Sequence, residues 1–172
     1  MNDEPNIVDK MLQFVYQKEY DDERFVSQEP FDGHRTTQET SHDNLNTSHN
    51  EKSLLINVKV FVIADKFDIF GLKEIATSKT KTLLSKSWDT QSFPLSVDLL
   101  YGNTQRNDRL LRDAFATAIF EDINKLVEMD GFMRIMQNYG GLAVDVLKIT
   151  LRERNKEEDL KKGRIKKHRP NF

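Results

Sequence analysis

The chain has 172 residues, of which 37% are hydrophobic and 31% charged, and its formal net charge is −2. That length fits one domain of roughly 100–200 residues with or without an unfolded segment, and an apolar share below the usual figure of about 45–50% favours such a segment. A pI of about 6.1 and a mean hydropathy of −0.65 exclude global attraction to nucleic acid or anionic membrane, while the absence of cysteine excludes disulfides, thiolate zinc sites and a thiol nucleophile.

Taken in chain order, Met1-Asn-Asp-Glu-Pro5 lacks the basic and apolar regions of a signal peptide, and no window approaches 18 apolar residues. The expected location is cytoplasmic or nuclear, with no membrane contact. Ile7, Val8, Met11, Leu12, Val15 and Tyr16 fall at the spacing that paints one face of a helix, and Pro5 suits its first turn. Residues 24–52 turn to Ser, Thr, Asn, Gln, His and Asp, too polar to offset the entropy of ordering, and read as a disordered insert.

Residues 54–67 are densely apolar. Within them 56–63 are rich in β-branched side chains, which favour a strand, whereas the run's length and its continuation into Ala64-Asp-Lys-Phe67 favour a buried helix. Asp68 can cap a following helix over 69–86, with Leu72, Ile75, Ala76, Lys79, Leu83 and Leu84 inward. Pro94 opens another helix that Gly102-Asn103 closes. The clearest helical rhythm runs from Leu110 through Ala114, Phe115, Ala118, Ile119 and Ile123 to Leu126. Arg109, Arg112, Asp113, Glu121, Asp122 and Lys125 lie on its other side. A short helical piece follows over 132–136, Gly140-Gly141 breaks it, and a last helix begins at 142 and turns wholly charged from Arg152. The expected fold class is mainly α, a helical stack whose faces bury against one another.

Chemistry is sparse along this chain. His34, His42 and His49 sit in the polar insert at wide separations, and His168 lies in the tail, so none reads as a metal ligand. The carboxylates sit in surface runs such as Asp21-Asp22-Glu23, and nucleophile-elbow, phosphate-loop, dinucleotide and zinc-protease motifs are absent. The expectation is no catalytic activity, no cofactor and no metal. Charge is polarised: residues 1–50 hold 11 acidic and 4 basic side chains, and 161–172 hold 6 basic and no acidic ones. The basic run Lys161, Lys162, Arg164, Lys166, Lys167 and Arg169 reads as a nuclear-import address, as a phosphate-backbone contact, or as a solvated helix end. No aromatic stacking platform accompanies it, so nucleic acid is not the expected partner.

Three stretches resemble BTB/POZ-domain proteins of the fungal type. Leu12, Tyr16 and Tyr20, within 8–20, resemble that family's helix and following turn. Ala64-Asp65-Lys66-Phe67, followed by Gly71-Leu72-Lys73, resembles its helix–turn–helix signature, with Phe70 where the family often has proline. Tyr101, Asn103, Thr104, Asp108, Arg109, Arg112 and Asp113 resemble the continuation in the fungal form.

The resemblance favours helix over strand at 54–67. It divides the chain into a BTB-like helix and turn (1–23), the insert (24–52), a BTB-like helix pair (53–87), a helical extension (88–151) and a charged tail (152–172). It implies a protein–protein interaction module, an adaptor or scaffold for another protein. The family's strands and first helices, which build its dimer interface, would lie before Met1, so homodimerisation through that surface is not implied. The apolar faces of 7–16 and 54–84 are then expected either to recruit a partner or to leave a partly molten N-terminal half. The alternatives are a nuclear, transcription- or chromatin-associated protein using the basic tail, and a truncated fragment without independent activity.

Overall fold

A computed structural model describes residues 4–22, 42–87 and 90–167, with side chains for 4–22, 52–87 and 90–162. Among the described residues there are eight helices and no strand: α1 (Pro5–Gln17), α2 (His42–Lys66), α3 (Phe70–Ser87), α4 (Ser92–Asn103), α5 (Arg112–Glu121), α6 (Ile123–Leu126), α7 (Asp130–Asn138) and α8 (Gly140–Lys167). The 56–63 run is therefore helical. Its β-branched residues sit in a helix enclosed on nearly every side, where Leu54, Val58, Val60, Phe61 and Ala64 have no exposed surface. A helix wrapped all round is apolar all round, and burial worth roughly 1.5–3 kcal/mol per large side chain overrides the few tenths that β-branching costs a helix.

α2 is the centre of the molecule; α1, α3 and α4 all pack on it, and α5 and α7 join α4 to α8. It also begins earlier than expected. Residues 42–52, read as part of the insert, belong to this helix, whereas 24–41 lie outside the described residues. His42 and His49 accordingly stand on a helix backbone rather than in a loop.

Asp68 does not cap α3. It adopts a left-handed backbone, φ 55°, and closes α2 instead: the Ile69 N–H donates to the Ala64 carbonyl at 2.9 Å and the Asp68 N–H to that of Asp65 at 3.3 Å. This is a Schellman stop, in which a short polar side chain tolerates the conformation that glycine more often supplies.

The apolar stripe expected to face inward on α1 is split. Ile7, Lys10 and Phe14 are buried, Val8 and Met11 are half-buried, and Leu12, Val15 and Tyr16 face solvent, Tyr16 at 84% exposure. The helix turns this way because Phe14 seats against Gly71, where an added Cβ would stand 3.2 Å from Phe14 Cζ. The long helix expected over 110–126 is interrupted. Leu110 and Leu111 precede α5, and Asp122 separates it from α6. Arg112, expected on the outer side, is 3% exposed. Phe115 meets Phe93 of α4 with ring centroids 5.5 Å apart, which pins α5 to the central group.

Candidate functional site

Three polar clusters join the helices, and about half of the residues named for the sequence resemblance fall within them. The first is built on Tyr20. Its hydroxyl donates to Asn57 Oδ1 at 2.6 Å, and Asn57 Nδ2 donates to Asp22 Oδ2 at 2.8 Å. Lys79 Nζ donates to Asp22 Oδ1 and to the Tyr20 carbonyl, both at 3.0 Å, and lies 4.8 Å from the Tyr20 ring centroid. Burial, and then the charges of Asp22 and Glu19, push the Tyr20 hydroxyl far above the ordinary tyrosine value. Burial opposes the charge on Lys79, but its hydrogen bond to Asp22 and the charges of Asp22 and Glu19 more than offset that and raise its pKa.

The second cluster is Lys73, which donates to Asp65 and Asp108 at 2.6 Å each and sits 5.0 Å from the Phe61 ring centroid. It ties α2 and α3 to the loop before α5. Here too burial works against the ammonium, and the hydrogen bonds and charges of Asp108 and Asp65 prevail, raising its pKa.

The third cluster is assembled from α4, α5, the loop between them and α8. Asp145 of α8, buried, accepts from Arg109 Nη1 at 2.9 Å and from the Tyr101 hydroxyl at 3.1 Å; Arg109 also bonds Asp113. Burial first, then the charge and hydrogen bond of Asp145, raise the pKa of Tyr101, with Arg112 and Arg109 pulling the other way. Arg112 lies over the Tyr101 ring, 4.3 Å from its centroid. It donates from Nε to Thr104 Oγ1 at 3.2 Å and from Nη2 to the carbonyls of Thr104 and Tyr101 at 2.6 and 3.4 Å.

Beside this cluster lies a pocket of about 320 Å³ whose walls include Thr104, Arg106, Arg112, Tyr139 and Gly140-Gly141. An added Cβ at Gly141 would stand 3.6 Å from Arg106 Nε and 4.0 Å from Arg112 Nη1, so both guanidinium groups reach the opening turn of α8.

The other residues named for the sequence resemblance are dispersed. Ala64 and Leu72 are core, Lys66 and Phe67 are exposed, and Asn103 donates to the Leu99 carbonyl at 2.8 Å. In the basic run, Lys161 and Lys162 are exposed, 164–167 continue α8, and Arg169 lies outside the described residues with His34 and His168. Sequence reasoning missed Asp145, Asn57, Asp22 and the partnership of Lys79. Among the described residues no group of His, Asp or Glu side chains is placed to hold a metal ion, and no helix is long and apolar enough to cross a membrane.

Comparison with known proteins finds no match: no family model, no curated protein and no solved structure matches the chain.

Proposed function

We propose that this chain is a protein–protein interaction module, an adaptor or scaffold of BTB-like build that works through helix faces and not through catalysis. One observation carries the reading. Leu12, Val15 and Tyr16 leave α1 toward solvent, and Phe67 and Phe70, exposed by 50% and 62%, flank the turn whose Gly71 abuts Phe14 of the same helix. Single exposed apolar residues are ordinary, but aromatic and aliphatic side chains exposed on a helix and beside the turn packed against it support an interaction surface. Aromatic anchors of this kind carry most of the energy of a typical interface.

The test is affinity capture with the full chain and with a Tyr16→Ser/Phe70→Ser variant matched in circular dichroism and Tm. The reading requires a partner protein that the parent retains and the variant loses. Identical capture by both would remove this face from the account.

A second reading rests on α8. From Arg152 every described side chain except Glu153 is exposed, so the basic end is presented on a helix that stands clear of the other elements. Nucleic-acid binding through that end would weaken steeply with salt and disappear on deletion of 161–172; binding unchanged by the deletion would refute it.

A further inference from the structure

We propose that the pocket at the start of α8 binds a phosphate-class dianion, carried on a phosphorylated side chain of a partner protein, through the guanidinium groups of Arg106 and Arg112. The protein source of the phosphate rests on the interaction reading above; the chemistry of the pocket stands without it.

The first observation is an imbalance of charge. Arg112 is 97% enclosed, being 3% exposed, and all its hydrogen bonds go to neutral oxygens, those of Thr104 and Tyr101. Among the described residues it forms no ion pair; the carboxylate of Asp145 is engaged by Arg109 and Tyr101 instead. A buried cation is ordinarily matched by an anion, because leaving it unmatched is strongly unfavourable. The unused edge of this guanidinium is Nη1, the edge that faces Gly141 and the pocket.

The second observation is what surrounds that edge. Arg106 is exposed, makes no hydrogen bond or ion pair among the described residues, and brings its Nε to the same glycine. None of the residues lining the pocket is a carboxylate. The first N–H groups of a helix have no intrahelical acceptor. In α8 that of Leu142 is taken by the Tyr139 carbonyl at 2.8 Å, which leaves those of Gly140 and Gly141 at the positive end of a long helix. Any side chain beyond Cβ at 141 would stand between the two arginines.

The free Nη1 of Arg112, the guanidinium of Arg106 and two backbone N–H groups offer more donors than one carboxylate can accept from. They suit the three acceptor oxygens and near-double charge of a phosphomonoester. A volume of about 320 Å³ also leaves room for the side chain that carries the group.

The experiment is a backbone-amide NMR titration of the full chain at constant ionic strength with three probes. These are a capped Ala-phosphoserine-Ala peptide, the same peptide unphosphorylated, and inorganic phosphate, with chloride as the reference salt. Saturable shifts at Gly140 and Gly141 are expected with the phosphopeptide and not with its unphosphorylated twin. Arg106→Gln, at an exposed position without partners, is expected to keep the Tm and weaken binding at least tenfold.

Shifts that never saturate, that chloride reproduces, or that survive Arg106→Gln unchanged would overturn the proposal, as would binding of inorganic phosphate with exclusion of the phosphopeptide. No partner protein is needed, so a negative titration removes the pocket alone. Failed capture at Tyr16 and Phe70 beside a positive titration removes the interaction reading alone.

Discussion

The Tyr20 cluster and the Arg112 cluster use the same parts, a buried tyrosine with a long cation stacked on its ring, and arrive at opposite balances. Around Tyr20 the cation is Lys79, and Asp22 and Glu19 answer it within 3.0 and 3.4 Å; every member is partnered inside the cluster. Around Tyr101 the stacked cation is Arg112, and the nearby acid, Asp145, is used by Arg109. A closed cluster of the first kind can only hold helices together. An open one of the second kind retains binding capacity, and its free edge opens on a pocket.

Substitutions can break or sharpen that contrast. The largest effect is expected at Tyr20→Ala, which removes a fully enclosed ring and strands Asn57, at a cost of about 3–5 kcal/mol in chemical denaturation; a loss under 1 kcal/mol would mean that the cluster is not structural. Asp145→Ala should cost about 2–3 kcal/mol, less than a fully buried pair because Arg109 remains 39% exposed and screened. Melting curves at several salt concentrations would show it.

Alkaline pH comes next. Tyr20 and Tyr101 have folded-state values raised above 10.0, so the unfolded chain ionises first. Their contribution is intact below that value and lost as pH rises, by about 1.4 kcal/mol per pH unit for each tyrosine. Tyr20→Phe should flatten the fall, as read from denaturation midpoints across the alkaline range.

The smallest effect is expected at Arg112→Met. Losing its hydrogen bonds to Thr104 and Tyr101 is offset by removing a buried cation that lacks a counter-charge, so stability should change by less than about 1 kcal/mol. Lys79→Met, which strands Asp22, should cost more. The reverse order would erase the distinction between the clusters.

The helices were legible because burial is periodic: Leu72, Ala76 and Leu84, or Phe115 and Ile119, repeat at the helical interval and are enclosed as the interval requires. Facing was less legible where a polar residue goes inward. The apolar positions of α1 trace one face that leaves out Phe14, and a buried Lys10 gives no signal in a reading that counts only apolar positions; the deciding contact, Phe14 on Gly71, spans distant parts of the chain. Long-range polar partners were invisible for the same reason. Asp145 stands in a mostly apolar helical turn, and nothing near it in sequence announces Tyr101 or Arg109. Arg112 looked solvated because Asp108, Arg109 and Asp113 around it in the sequence are charged, whereas its enclosure is made by Tyr101 and Thr104 from the preceding segment.

The later half of α8 has a mechanical consequence. Residues 152–167 are helical, and at about 1.5 Å of rise each they reach roughly 24 Å. Pairs such as Lys156 with Glu153 at 2.7 Å brace the span along its length. Its lysines are thereby carried on a stiff boom. Whatever they touch is held a set distance from the pocket at the boom's root, so the two ends of one helix can measure a separation on whatever the protein engages.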